Sequence, residues 1–572
     1  MNKKKKIHPH IGRLRLVMSG VFFIALILIA KLYQVQIVQH EEFAERADRQ
    51  YVRPINSSID RGSIFFSTKD GDKLAAATIK SGYTLAVNST IFKKADERYE
   101  SFAEIIPDFD REEYLRKTAK DDIYEELAKR LTVEQKDAVL ALDYDGIALY
   151  KDRWRYYPGD ELASQVLGFI SYLDGEVKGH YGLEMAYQDV LVRNTTDVYV
   201  NFFVEMFSGA KKVLTDGNKK AGSIVTTIEP SVELMLEDVI ARTNDKWNSK
   251  ITGGIIMNPK NGEIYAMAAT PGFNANDFGS AESLDVLQNP HVERVYEMGS
   301  VVKPITMAIG LDTGAVRPET TYLDTGSRTI NNRTFFNYDK KARGRVDMQT
   351  VLSSSLNTGV SFVVDEVGIP TFKKYMLEFF GDKTGIDLPR EQAPLVNNLE
   401  GGKDIEYATA SFGQGIALSP ISLIRGLAAL GNGGYLVTPH VVKEIEYTIG
   451  TSKVIEVDNS KRVFSEKTSE DISRMLVNVV DDALLGGTVA LPNHTVAAKT
   501  GTAQIVGDDG KYSEDLFLHS FFGYFPAFDP EFIVLLYTTE PKDVLYASET
   551  LTAPFFELTD FLIAYYEIEP DR

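Results

Sequence analysis

The chain has 572 residues, 44% of them hydrophobic, with a formal net charge of −19 and no cysteine. That length supports two or more domains with sizeable cores. The acidic balance argues against a nucleic-acid binder, and the missing cysteines exclude disulfides, thiolate metal sites and a thiol nucleophile.

Basic residues crowd the start: Lys3, Lys4, Lys5, Lys6, Arg13 and Arg15. An uncharged run follows from Leu16 to Ala30. A membrane helix needs about 20 residues. Snorkelling by Arg15 and Lys31 extends the usable segment to 14–38, an uncleaved anchor. Residues 1–13 then form a cytoplasmic tail, with the acidic bulk of the chain on the other side. A cleaved signal peptide is the alternative, but Lys-Leu-Tyr-Gln-Val stands where a small-x-small cleavage site would be.

Residues 39–221 form a first folded region. Gln39–Gln50 reads as a helix, Tyr51–Ser67 as extended chain, and Lys69-Asp70-Gly71-Asp72 as a turn between extended pieces. Ala103–Leu142 has the charge and apolar spacing of short packed helices. Arg153-Trp154-Arg155-Tyr156-Tyr157-Pro158-Gly159 is a turn rich in aromatic and basic groups. No acid–base or metal constellation stands out here, which suits a docking or spacer module.

The pattern changes near Gly222. Ile224–Ile228 is strand-like, and Glu229-Pro230 opens a helix through Val232, Leu234 and Val239. Gly253–Met257 and Glu263–Met267 are strands joined by Asn258-Pro259-Lys260-Asn261-Gly262, a hairpin signal. A second pair, His519–Phe525 and Phe532–Thr538, is joined around Asp529-Pro530. The chain between is mainly helical. Strands at both ends with helices between predict one antiparallel sheet covered by helices.

Three short motifs in this region carry chemistry. Ser300-Val301-Val302-Lys303 follows Gly299 and precedes Pro304 and an apolar run, the pattern of a helix start. Ser300 and Lys303 share a face of the first turn. The amine can take the hydroxyl proton, and the helix start favours the developing negative charge. A capped surface helix also fits the motif, which recurs at Ser208 and Lys211. Ser355-Leu356-Asn357 follows an apolar pair, and a cap or turn fits it equally well. Lys499-Thr500-Gly501-Thr502 lies between small and apolar residues. An edge strand of that kind lets a substrate backbone lie alongside, while Lys499 and Thr500 hold a carboxylate. Lys383-Thr384-Gly385 repeats the triplet without a strand frame and reads as a loop.

Ser-x-x-Lys, Ser-x-Asn and Lys-Thr-Gly in that order are far more specific than any one of them. The chain resembles the penicillin-recognising serine acyltransferases, and more narrowly the class B penicillin-binding proteins. Arg61-Gly62, Arg155-x-Tyr157-Pro158 and Gly179–Glu184 are similar to the family's pedestal motifs. Pro271-Gly272-Phe273-Asn274, Ser411–Gly415 and Asn432-Gly433-Gly434 are similar to its transpeptidase landmarks. Three departures stand out. Met298 replaces the usual Pro, Ala498 replaces the Gly before Lys-Thr-Gly, and Phe66-Ser67 stands where Asp-Arg is expected.

The resemblance implies an α+β chain with three parts: the transmembrane helix, an elongated α/β pedestal domain at 39–221, and a serine β-lactamase-like transpeptidase domain at 222–566. It implies a bacterial inner-membrane protein, single-pass, with its bulk extracytoplasmic. The donor is a peptidoglycan stem peptide ending in D-Ala-D-Ala and the acceptor is an amine of a second stem. Ser300 is the nucleophile and Lys303 its base. Ser355 relays a proton, and Asn357 holds the donor amide and orients Lys303. Lys499 and Thr500 bind the terminal carboxylate on the Thr500-Gly501-Thr502 strand. The amides of Ser300 and Thr502 form the oxyanion hole. No cofactor or metal is called for. β-Lactams are expected inhibitors, and a polytopic membrane glycosyltransferase and other wall-synthesis proteins are expected partners. Septal division is favoured over elongation. A β-lactamase, a D,D-carboxypeptidase and a β-lactam sensor are the alternatives.

Overall fold

The computed structural model describes residues 59–572 apart from 174–175, 194–220, 449, 459–460 and 508–509, together with 18, 22–24 and 31. Most of the expected membrane segment, the helix expected at 39–50 and the second Ser-x-x-Lys at Ser208 therefore lie outside the described residues. Among the described residues no helix is long and apolar enough to cross a membrane.

The chain forms two compact units. The described part of the first is centred on 80–154, where three helices, Ala95–Ala103, Arg111–Thr118 and Val133–Ala141, pack around Phe92, Phe102 and Tyr114. Two of them have side-chain caps at their starts. Asp110 caps one by accepting from Glu113 N, and Thr132 and Gln135 form a capping box on another. The expectation of helices throughout 103–142 fails at Glu125–Leu131, which is a strand paired antiparallel to Tyr83–Val87. Its charged residues suggest a solvated helix. The strand form wins because a partner ladder is available and Leu127 and Leu131 then reach the core.

The second unit comprises 60–79 and 155–572. Gly222–Thr226 lies between Val442–Tyr447, antiparallel, and Ile64–Ser67, parallel. The turn expected at 69–72 joins Ile64–Ser67 to Lys73, the start of the next strand. In the same unit Glu184 is fully buried and receives Arg155 Nε at 2.6 Å and Arg61 Nε at 2.5 Å. Arg61 also donates to Glu184 O and Gln188, and Arg155 to Gly62 O. Burial pushes the Glu184 carboxyl up, but the two guanidiniums overcome this and hold it below the ordinary carboxylate value.

The main sheet has five antiparallel strands: β1 (Ile251–Met257), β2 (Ile264–Thr270), β3 (Ala497–Val506), β4 (Tyr512–Phe525) and β5 (Phe532–Thr539). Their order is β3-β4-β5-β1-β2, so both expected hairpins form and come together. Both faces are covered, so β5 is buried along its whole length. On one face α1 (Pro230–Trp247) and a C-terminal helix, Thr552–Tyr566, pack on Ile256, Phe521, Val534 and Leu536. On the other face lie Ile255, Met257, Phe522 and Leu535. They join the core of α2 (Lys303–Asp312), α3 (Asn357–Val367) and α4 (Glu466–Asn478). Glu229 caps α1 by accepting from Val232 N, and Pro230 occupies its first turn.

The outer strand β2 would expose backbone donors. Glu233 on α1 accepts from Met267 N at 2.7 Å, and Gln165 accepts from Ala269 N at 3.2 Å. Glu233 Oε1 is buried without a hydrogen-bond partner, facing a cavity of about 100 Å³ shared with Glu237 and Glu161. Burial, then mutual repulsion with Glu237, pushes the Glu233 carboxyl well above its ordinary value, and burial raises Glu237 as well.

Two outcomes are expected from these buried carboxyls. Glu184→Ala leaves two guanidiniums buried and unpaired, and should cost about 3–5 kcal/mol in denaturant unfolding. A carboxyl whose folded-state pKa is raised gives stability that falls as pH rises from the ordinary carboxylate value toward the raised one. Glu233→Gln should therefore flatten the decline in unfolding midpoint above pH 5, with the largest gain at the alkaline end. A midpoint that falls with pH as steeply in the variant would refute the assignment.

Candidate active site

The Ser300 segment forms as a 3-10 turn, Gly299–Val302, leading directly into α2, with Pro304 in the first helical turn. Gly299 has φ 66°, and a Cβ there would lie 2.9 Å from Thr502 O. Both features restrict the position to glycine. The apolar run through Met307, Ala308 and Ile309 is buried, as expected.

Lys303 projects into the protein and is fully buried. Its amine donates to Ser355 O at 2.5 Å and to Ser355 Oγ at 3.0 Å. Ser355 lies in the turn between Met348–Ser353 and α3, and its φ of 52° is left-handed. That conformation costs about 1–2 kcal/mol outside glycine. Here it presents a carbonyl and a hydroxyl to the same amine. Burial, then the charge of Lys499, lowers the Lys303 pKa well below the ordinary lysine value.

Asn357 occupies the first turn of α3, and its side-chain amide donates to Phe336 O at 2.7 Å. The hydrogen bonds of the Lys303 amine run to Ser355.

β3 is an edge strand, as its small residues predict. Lys499 is buried and donates to Thr500 O at 2.9 Å, and burial alone brings its pKa down to about 8. Gly501 packs on the start of α2. A Cβ there would meet Ser520 Oγ at 2.4 Å, Met298 O at 2.8 Å and Val301 N at 3.0 Å. Thr502 Oγ1 accepts from Ala547 N at 3.2 Å.

Ser300, Ser355, Asn357, Lys499, Thr500 and Thr502 all line one cleft of about 1160 Å³. Lys303 lies beneath its floor and Gly501 is taken up by the strand-to-helix contact, so all eight candidates fall at or directly under one site. The triplet Lys383-Thr384-Gly385 is a loop, with the Thr384 and Gly385 amides donated to Glu391. The cleft also has walls that sequence reasoning missed: Phe336, Tyr338, Tyr512 and Tyr546. The only local signal is that each is an exposed aromatic residue. Among the described residues no cluster of His, Asp and Glu could hold a metal ion.

A serine at a helix start, over a buried lysine and beside an edge strand, is the arrangement of a serine acyltransferase. Residues 252–558 match the penicillin binding protein transpeptidase domain, and the chain belongs to that family as a class B penicillin-binding protein. It is 30% identical to stage V sporulation protein D of Bacillus subtilis, over 95% of this chain and 84% of that protein. It is 26% identical to the peptidoglycan D,D-transpeptidase FtsI homolog of Mesostigma viride, over 100% of this chain and 98% of that one. Its fold is similar to penicillin-binding protein 3 of Mycobacterium tuberculosis in complex with aztreonam (TM-score 0.67, 20% identity, 90% of this chain and 98% of that one). It is also similar to penicillin-binding protein 2X of Streptococcus thermophilus (TM-score 0.71, 19% identity, 89% and 80%).

The electrostatics give a direct outcome. Removing the second amine with Lys499→Met should raise the Lys303 pKa, read by NMR of its ε-carbon in selectively labelled protein. An unchanged titration would mean that Lys499 does not act on Lys303.

Proposed function

We propose that the chain cross-links peptidoglycan stem peptides through a Ser300 acyl-enzyme. Ser300 Oγ attacks the carbonyl between the two terminal D-Ala residues. Its proton passes to the neutral Lys303 amine, and the C–N bond breaks. The departing D-Ala amine takes a proton relayed through Ser355. The acceptor amine of a second stem then attacks the ester, gives up a proton to the same relay, and frees Ser300. Lys499 and Thr500 hold the donor's terminal carboxylate against β3. The amides of Ser300 and Thr502 receive the oxyanion, each donor being worth about 3 kcal/mol in sites of this kind. The observation that carries this reading is the uncharged-leaning Lys303 amine held on Ser355 Oγ under the floor of the Ser300 cleft.

The pedestal at 39–221, the transpeptidase domain at 222–566 and a membrane anchor at 14–38 belong to the same proposal. The anchor rests on the basic start and the uncharged run. It places the cleft outside the cytoplasm, where stem peptides are cross-linked. A membrane glycosyltransferase is the partner this anchor would meet. The septal setting is retained over elongation, on the Pro271–Asn274 stretch.

Labelled penicillin tests the chemistry. Intact mass should show one adduct on the wild type and none on Ser300→Ala, with Lys303→Ala acylated far more slowly. The adduct should last minutes to hours. Rapid turnover would make the protein a hydrolase, and an adduct that survives Ser300→Ala would end the proposal.

A further inference from the structure

The hairpin β3–β4 extends beyond the sheet that supports it. β5 pairs with β4 only from Phe525 to Leu518. Past that point one backbone hydrogen bond from outside, Glu540 N to Phe517 O at 2.8 Å, holds β4, and the β3–β4 ladder has a register shift between Gln504 and Val506. Two strands alone are marginal in water. Yet this stretch carries Gln504, Tyr512 and Phe517, which line the cleft. Something outside the sheet must fix it.

Glu297, three residues before Ser300, makes the tie. Tyr512 Oη donates to Glu297 Oε2 at 2.9 Å, with Oε1 at 3.2 Å. Gly415 N donates to Glu297 Oε1 at 3.1 Å. One carboxylate thus joins the run into the nucleophile, the loop after Phe412 and the free end of the hairpin. The first two are already rigid. Tyr296 and Leu418 exchange backbone hydrogen bonds at 2.9 Å each way. A Cβ at Gly413 would lie 2.3 Å from Gly299 O, so the two loops are in direct contact. The hairpin end is the loose member of the three, and the Tyr512 side chain hydrogen-bonds it to the run before Ser300. Burial pushes the Glu297 carboxyl above its ordinary value, and the donations from Tyr512 and Gly415 offset only part of that rise.

We infer that Glu297 is a positioning residue for acylation. By gripping Tyr512 it fixes the distance between Ser300 and the wall that β3 presents to the substrate. This rests on the Ser300 acyl-enzyme proposed above. Neither residue touches the reacting bond, so the effect should fall on the rate of acylation once substrate is bound, more than on binding itself. Tyr512 is exposed, so Tyr512→Phe removes one hydroxyl without disturbing a core.

The test is a double-variant cycle on the full chain with a fluorescent penicillin, reading the saturating acylation rate, the half-saturating concentration and the unfolding midpoint. The loss of one hydrogen bond supports a fall of about tenfold in the saturating rate for Tyr512→Phe and for Glu297→Gln. Half-saturation should move less than about twofold, with the Tyr512→Phe midpoint close to wild type. The two losses should not multiply in the double variant, because each cuts the same tie. A wild-type rate in Tyr512→Phe, or losses that multiply, would overturn the latch while leaving the acyl-enzyme intact. Labelling that persists in Ser300→Ala would remove both.

Discussion

An amine buried without a counter-ion sets the terms for the rest of the molecule. Lys303 and Lys499 are both buried, and among the described residues neither is ion-paired with a carboxylate. Two ammonium ions in such a place are expensive, so the protein favours the neutral form of at least one. A neutral amine still needs acceptors for its protons. Ser355 supplies two oxygens by taking a left-handed backbone, which the packed helices on either side of its turn enforce. The strain at Ser355 and the depressed pKa of Lys303 are thus two parts of one arrangement.

That arrangement is useful only if the edge of β3 comes close to the start of α2. Close approach requires small residues at the contact, and Gly299, Gly413 and Gly501 are where no Cβ fits. Edge strands normally invite unwanted pairing. Here the middle of the edge is covered by Met298–Val301, and the remainder forms a cleft wall. The opposite edge, β2, is covered by the side chains of Glu233 and Gln165. Both edges of the sheet are therefore used, one for chemistry and one for attachment of the segment around Ala163, whose amide donates to Glu237.

Much of this was legible in the sequence because the signals are local. The hairpin at 258–262, the helix after Pro230 and the edge strand at 497–506 each follow from a few neighbouring residues. The ordered motifs brought Ser300, Ser355 and Lys499 to one cleft. What stayed hidden depends on long-range pairing. Arg61, Arg155 and Glu184 belong to three separate pedestal motifs, and nothing local says that they form one ion-paired group. Glu125–Leu131 reads as a charged helix until Tyr83–Val87 offers a ladder. Glu297 and Tyr512 are 215 residues apart, and nothing local marks either one. The bond from the Asn357 amide to Phe336 O joins residues 21 positions apart and is likewise invisible locally.

The departures from the family pattern show which parts of the site are chemistry and which are geometry. Met298 stands where Pro is usual, yet its role at the site is played by its carbonyl, which accepts from Ser520 Oγ at 2.8 Å. Any residue with a carbonyl there can do this, and the side chain is free to fill the core. Ala498 adds a methyl where Gly is usual. Its cross-strand neighbour is Gly523, where a Cβ would lie 2.4 Å from Phe555 Cζ and 2.9 Å from the Ala498 methyl. The added methyl therefore faces a glycine that the packing of Phe555 already requires. A methyl on β3 is accommodated by a space that exists for another reason. The pair of oxygens that Ser355 offers to Lys303 has no such alternative.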